Sequence, residues 1–257
     1  MKWGSAFAFL LMFVSTCNVN AASITETANC WMVLEGEIDK FTDSTLATRY
    51  KSVNNGKPDQ CRPAVNLLLN SNGGDVEAAM RTGEFVRQKK LWTGVRQNNA
   101  CASACVLVLV GGVHRINAGN IGLHRPFLDK YSNSESESRT TYEKNNRLIL
   151  KYLNRMNITE SLLKAMNLVP PGEMQWLTFQ DDKQLHELNI TGEDPVYADE
   201  RDSANAKKWG ISKKEYYLRQ QRIESVCAAD ARDAGPSNPD ATRRYGKCMQ
   251  DVLSGKR

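Results

Sequence analysis

Residues 65–75 read VNLLLNSNGGD, and the fold turns on how that stretch is understood. Val65 to Leu69 is a nearly continuous apolar run, the pattern of a strand covered on both faces in a parallel sheet. It breaks at Asn70-Ser71-Asn72-Gly73-Gly74-Asp75, a cluster of turn formers. Residues 76–89 follow with Val76, Ala79, Met80, Phe85 and Val86 at helical spacing, which predicts an amphipathic helix, and 91–95 reads as the next strand. Working outward, 29–38 (NCWMVLEGEI) alternates as an opening strand, 42–53 is helical, and 54–58 (NNGKP) is a turn. Strands alternating with helices predict parallel βαβ units in an α/β domain.

Residues 101–110 (CASACVLVLV) are ambiguous. Valine-rich composition favours a strand, a buried helix opening at Ser103 fits equally by length, and periodicity does not decide. Gly111-Gly112 ends the run, and 120–124 reads as a short strand closed by Arg125-Pro126. Residues 128–141 (LDKYSNSESESRTT) are polar and predict a loop. Helices are predicted over 142–156, 158–166 and 178–188, the last opened by the capping box Thr178-Phe179-Gln180-Asp181.

Three pieces of this layout bear on chemistry. They are a Gly-Gly turn after a buried strand, a serine flanked by alanines, and a histidine closing a strand. Acyl-bond hydrolysis needs a nucleophile, a base and donors for the oxyanion. Ser103 supplies a nucleophile and His124 a base. Gly73 and Gly74 let backbone N–H groups approach a substrate oxygen, and a helix opening at Ser103 would add partial positive charge there. Each piece alone has a plainer reading: a cap, a hydrogen-bonded structural histidine, a tight turn.

Their order and spacing resemble a family. The stretch 65–127 is similar to the core of the Clp protease proteolytic subunit, within the Clp-protease/crotonase superfamily. There a strand ends in a Ser-Pro-Gly-Gly turn, the nucleophilic serine opens a buried helix, and a strand delivers a histidine followed closely by proline. The matching elements are Ser71-Asn72-Gly73-Gly74, Ala102-Ser103-Ala104 and Leu123-His124-Arg125-Pro126. The resemblance implies stacked ββα units around a parallel sheet, helix over 103–110, and an oxyanion hole from the N–H groups of Gly74 and Ala104. It extends over residues 30–190 at the level of element order, and implies a peptide or protein substrate and self-association. More particularly, the chain resembles exported bacterial proteins of this kind. Two departures stand out. Asn72 occupies the usual proline position. The family acid lies two residues before an aromatic-aliphatic-Ser/Thr step, here Trp176-Leu177-Thr178, and that position holds Met174, with Glu173 beside it as the substitute candidate. Without an orienting acid, His124 loses tautomer control.

The N-terminus predicts export. Met1-Lys2, the apolar run 6–14 (AFAFLLMFV) and small residues around Val19-Asn20-Ala21 form a cleavable signal over 1–21, too short to span a bilayer, which takes about 20 apolar residues. No later segment is long and apolar enough to be transmembrane. A periplasmic location and an α/β domain over 22–195 follow, with a basic helical appendage over 196–257. Seven cysteines occur in the sequence. Removing Cys17 with the signal leaves Cys30, Cys61, Cys101, Cys105, Cys227 and Cys248, an even set in an oxidising compartment. Cys227 and Cys248 flank 235–239 (GPSNP), a turn between helices, and a bond there would close a loop of about 20 residues. Cys101 and Cys105 bracket Ser103; a disulfide is favoured over buried thiols, either fixing the oxyanion loop or acting as a redox latch. Cys30 and Cys61 each precede a predicted strand, and parallel neighbours would pair them.

The 257-residue chain carries a formal charge of +5. Residues 200–257 hold 13 Lys/Arg against 8 Asp/Glu, so that segment carries the whole excess, the pattern of a solvated helical face. It lacks the aromatic platform or fold motif of nucleic-acid binding. No C-x-x-C pair is present, and no metal or cofactor is implied. Coenzyme A is scarce outside the cytoplasm, which argues against acyl-thioester chemistry. The two surviving classes are a periplasmic serine hydrolase, most simply a peptidase, and a catalytically silent binding or scaffold protein on the same fold.

Overall fold

The computed structural model describes residues 21–27, 31–56, 66–126, 135–235 and 238–257. The expected signal segment, apart from Ala21, and the expected Cys30–Cys61 bond lie outside the described residues. The chain divides into two units, Met1–Gly192 and Glu193–Arg257. The division falls three residues before the expected end at 195, because Asp194 caps the following helix by accepting from Tyr197 N–H and so belongs with it.

The first unit is a mixed α/β structure with two sheets. Its strands are β1 (Ser23–Glu26), β2 (Met32–Glu35), β3 (Asn66–Asn70), β4 (Trp92–Val95), β5 (Ala100–Ala102), β6 (His114–Asn117), β7 (Asn120–Leu123), β8 (Gln175–Leu177) and the two-residue β9 (Gly192–Glu193) at the unit boundary. The larger sheet runs β1-β2-β3-β4-β6-β9 and the smaller β5-β7-β8. Neighbours from β2 through β6 are parallel, as are β5 and β7, while β1 and β8 pair antiparallel to β2 and β7. Leu67, Leu68 and Leu69 of β3 are all buried, as a continuous apolar run in a parallel sheet requires.

Three helices accompany these strands, α1 (Thr42–Gly56), α2 (Val76–Gln88) and α3 (Cys105–Gly111); α1 and α3 pack on strands, and α2 packs on α1 and α3. α2 begins where its sequence dictates, with the Asp75 carboxylate accepting from Ala78 N–H at 2.7 Å. α3 is buried along its whole length. It meets α2 at backbone contact: a Cβ built on Gly111 would lie 2.6 Å from Gly83 O. Only glycine at both positions permits that approach. α4 (Glu135–Arg155), α5 (Ser161–Leu168), a 3-10 turn (Phe179–Asp181) and α6 (Asp182–Glu187) complete the unit. The capping box at Thr178 forms as the sequence predicts, the Asp181 carboxylate accepting from Thr178 N–H at 2.7 Å.

Two sequence expectations need correction, and one strand has no counterpart among them. The helix that the resemblance implies over 103–110 forms, but it opens two residues later than expected. β5 ends at Ala102, Ser103-Ala104 turn, and α3 starts at Cys105. The polar stretch expected to be a loop to residue 141 is helical from Glu135. There a solvent-facing helix, with Arg139 and Glu143 paired one turn apart, has no apolar stripe to betray it. The strand without a counterpart is β6, whose four residues HRIN carry no apolar alternation to mark them.

The second unit holds α7 (Pro195–Lys208), α8 (Lys213–Val226), α9 (Ala228–Asp233) and α10 (Pro239–Leu253). Side-chain caps from Ser212 and Asn238 open α8 and α10. Its core is small: Ile223, Cys227, Cys248 and Val252, ringed by Tyr245, Met249 and Leu253. The expected Cys227–Cys248 disulfide runs through its centre, with Cα atoms 5.9 Å apart. A core of this size depends on a staple. Replacing both cysteines by serine is expected to cost the unit about 3 kcal/mol, read by pulse proteolysis in urea as earlier cleavage within 193–257. An unchanged midpoint would show the bond to be dispensable. No described helix is long and apolar enough to cross a membrane.

Candidate active site

The parallel strands deliver their C-terminal ends to one place, where open α/β sheets bind ligands. The turn 71–75 leaves the end of β3. It is bonded on one side to the larger sheet's β2 extension, with Ile38 N–H donating to Gly73 O and Asp75 N–H to Ile38 O, both at 2.8 Å. On its other side it is bonded to β5, with Ser71 N–H donating to Ala100 O at 2.8 Å and Ala102 N–H to Ser71 O at 2.9 Å. The turn therefore joins the two sheets. Gly73 and Gly74 have φ of +105° and +134°, a region L-residues avoid. A Cβ on Gly74 would come within 2.2 Å of Ile38 O, and one on Gly73 within 2.7 Å of Ser103 Cβ.

Ser103 is the residue immediately after β5. Its φ is +56°, the left-handed region that non-glycine residues occupy at a cost of about 1–2 kcal/mol. Its N–H donates to Gly122 O at 2.9 Å, and its carbonyl accepts from Val106 N–H at 3.1 Å. β5 and β7 pair with Ala102 opposite Gly122, so the strand carrying His124 runs beside the one carrying Ser103. Cys101 and Cys105 are joined across the serine, their Cα atoms 5.3 Å apart.

Ser103, His124, Gly74 and Asn72 line a cavity of about 880 Å³. Ile38, Val76, Met80, Phe41 and Leu148 give it apolar wall, and Asn145 of α4 adds a polar group. Among the described residues Glu37, Asp39, Asp75 and Glu77 line it against one lysine, Lys40, a field that favours approach of cationic over anionic ligands.

Two backbone donors point to an anion's needs. Gly73 N–H donates to Ser71 Oγ at 3.1 Å, whereas among the described residues the N–H groups of Gly74 and Ala104 have no acceptor. Of the two glycines, Gly74 is thus the one with a donor to offer. Ala104 N lies 3.0 Å from the position of a Cβ on Gly73, which places that second donor against the same turn. The Ser103 hydroxyl makes no hydrogen bond among the described residues. In the free protein the serine–histidine bond is accordingly not formed, a common state before substrate binds.

His124 is buried, and its Nδ1 lies 2.9 Å from the carbonyl oxygen of Arg125. With the proton on Nδ1 this contact is a donated hydrogen bond, and Nε2 is then the basic nitrogen. Arg125 is itself anchored. Its N–H donates to Val169 O at 2.8 Å, its guanidinium donates to Asn167 O at 3.0 and 3.1 Å, and the cation lies 5.9 Å from the Tyr142 ring centroid. Sequence reading missed Arg125 as a support. The only signal available was its place between the histidine and the proline.

Met174 and Glu173, the two residues singled out in the sequence, are placed differently. β8 pairs with β7 with Leu123 opposite Gln175, and continuing that register by one residue sets Met174 opposite His124. The Met174 sulfur packs over Gly122, 2.7 Å from where a Cβ would be. Glu173 is exposed, with its N–H donating to Pro170 O at 3.0 Å, and it is not among the residues lining the cavity. Asp181 is engaged as a cap. Among the described residues no group of three or more His, Cys, Asp or Glu is placed to hold a metal.

No protein-family model matches the chain, and no curated protein matches it. Among solved structures, a ClpP1 mutant from Listeria monocytogenes is similar to this chain at 16% identity and a TM-score of 0.46, covering 65% of this chain and 94% of that one.

Proposed function

We propose that the protein is a serine hydrolase of peptide or related acyl bonds, exported to the periplasm, with Ser103 as nucleophile and His124 as base. The observation that carries this reading is the state of Ser103. A non-glycine residue is held at φ +56° with an unbonded hydroxyl, in a cavity also lined by a buried histidine. Strain of this kind concentrates at functional positions.

In the proposed reaction Ser103 Oγ attacks the acyl carbon while His124 Nε2 takes its proton. The developing oxyanion accepts from the N–H groups of Gly74 and Ala104. His124 then returns the proton to the leaving group, and water repeats the sequence to release the acid. The Arg125 carbonyl, 2.9 Å from His124 Nδ1, holds a proton on that nitrogen and leaves Nε2 as the base. Export rests on the leader-like residues 1–21 and on the two disulfides, which persist in oxidising compartments. Self-association is carried by the family resemblance and belongs to the same proposal.

A second reading has its own support. Met174 in register with His124, and a Ser103 hydroxyl with no hydrogen bond to the histidine among the described residues, favour a binding protein that holds peptides in the same cavity without cleaving them. Fluorophosphonate labelling of the folded, oxidised chain separates the two. Hydrolase chemistry predicts one adduct, mapped to Ser103 by mass spectrometry and missing from Ser103→Ala and His124→Ala. A folded protein that takes up no label is a binding protein.

A further inference from the structure

We propose that the Cys101–Cys105 bond arms Ser103: the oxidised chain holds a reactive serine, the dithiol chain does not, and oxidation takes place once, as the chain folds. The inference rests on Ser103 being the nucleophile.

The two sulfurs join elements that are fixed independently. Cys101 lies within β5, opposite Ile121 of β7 and bridged on its other side to Ser71. Cys105 is the first residue of the buried helix α3. Between them Ala102, Ser103 and Ala104 must reverse the chain with one residue in the left-handed region. Glycine or asparagine would take that conformation most readily, and neither is present. The start of α3 also lacks a local device, since Ala104 stands at the cap position with no side-chain hydrogen bond to offer. The hydrogen bonds at Ser103, to Gly122 O and from Val106 N–H, fix its two ends but not the direction in which its hydroxyl leaves. The disulfide supplies what the residue types do not. It sets the start of α3 against the end of β5 and so fixes Ser103 and the Ala104 N–H together. Cys101 and Cys105 are positioning residues and touch no substrate.

The arming step balances as a thiol–disulfide exchange. The two thiols lose two electrons and two protons as the S–S bond forms. A disulfide oxidant is cleaved, takes up both, and leaves as two thiols. Both cysteines are 0% exposed, so in the folded protein a reductant's thiolate has no access to either sulfur. The bond is made before the core closes and is not reversed afterwards. A chain that folds without an oxidant is folded and latent.

The test uses the full mature chain as wild type, Cys101→Ser/Cys105→Ser, and Cys227→Ser/Cys248→Ser. Two quantities are measured: hydrogen exchange of the amides of 103–106, and the rate of fluorophosphonate labelling across pH. In the first variant those amides should exchange at least tenfold faster while β3 and α2 keep their protection. Labelling should slow at least tenfold at every pH without moving the midpoint of its pH profile, because His124 is untouched. The second variant should match wild type in both. Should the serine variant fail to fold, wild type folded in dithiothreitol provides the alternative. Its labelling should be slow, stay slow when oxidised glutathione is added to the folded chain, and reach the wild-type rate once the chain is unfolded in urea and refolded with oxidised glutathione, the 101–105 bond being followed by peptide mapping. Unchanged exchange, or faster exchange with labelling within twofold of wild type, overturns the arming proposal alone. Wild type that takes no label overturns the hydrolase reading and this inference with it.

Discussion

Gly73→Ala should lower the rate of serine labelling by about 100-fold while leaving a folded protein. The new methyl would stand 2.7 Å from Ser103 Cβ, 2.9 Å from Ala102 O and 3.0 Å from Ala104 N. Those three atoms belong to the proposed nucleophile and to the backbone on either side of it. Relief requires the serine turn to move by several tenths of an ångström, and misplacement on the scale of 1 Å costs a reaction about 10²-fold. The φ of +105° adds backbone strain of about 1–3 kcal/mol, so urea unfolding should be measured beside the kinetics. A variant that labels within threefold of wild type would show that the turn does not set the geometry of the serine. For a pure binding protein the same substitution would weaken peptide affinity and leave no rate to compare.

The largest effect on stability is expected at Gly83→Ala. Gly83 sits in the middle of α2, where alanine would ordinarily gain about 1 kcal/mol in helix propensity. Here its Cβ would lie 1.9 Å from Tyr152 Oη and 2.9 Å from Leu107 O. Tyr152 is fully buried, donates to Leu107 O at 2.6 Å, and is held neutral, its ionisation pushed far up by burial. Overpacking of this kind costs about 1–3 kcal/mol and sometimes more, and with backbone on one side of the clash the loss should fall at or above 3 kcal/mol. Tyr152→Phe removes the hydroxyl and its hydrogen bond, for about 1–2 kcal/mol. In the double variant the two losses should fall short of their sum by 1 kcal/mol or more, as expected of coupled neighbours. Additive losses would mean that Gly83 is required by Leu107 and not by the tyrosine.

The fold was legible where local signals agree with burial. The apolar strand at Asn66–Asn70, the Asp75-capped helix after it, the capping box at Thr178 and the Cys227–Cys248 bond all rest on short-range patterns, and the structure contains each. The failures share a cause. Ser103 is left-handed because Gly73, Gly122 and two cysteines over-determine it from outside its own segment, and no propensity reports that. The break between β5 and α3 follows from the same constraint. α4 starts early because its polar first turns fold as a continuation of a buried helix end at Ile149, Tyr152 and Leu153, not through signals of their own. At the site, the residue types and their order were readable. The support of His124 by a neighbouring carbonyl was not, because a backbone acceptor leaves no mark in a sequence.

The turn at 71–75 is hydrogen-bonded into one sheet through Ile38 and into the other through Ala100 and Ala102. A receptor wall stitched on both sides has little disorder left to lose when it is filled. The entropy of association then falls almost wholly on the ligand, at about 0.5–1.5 kcal/mol for each flexible side chain that must be stilled. Ligands already rigid before they arrive, such as macrocycles or proline-stiffened strands, would hold this cavity more tightly than floppy ones making the same contacts.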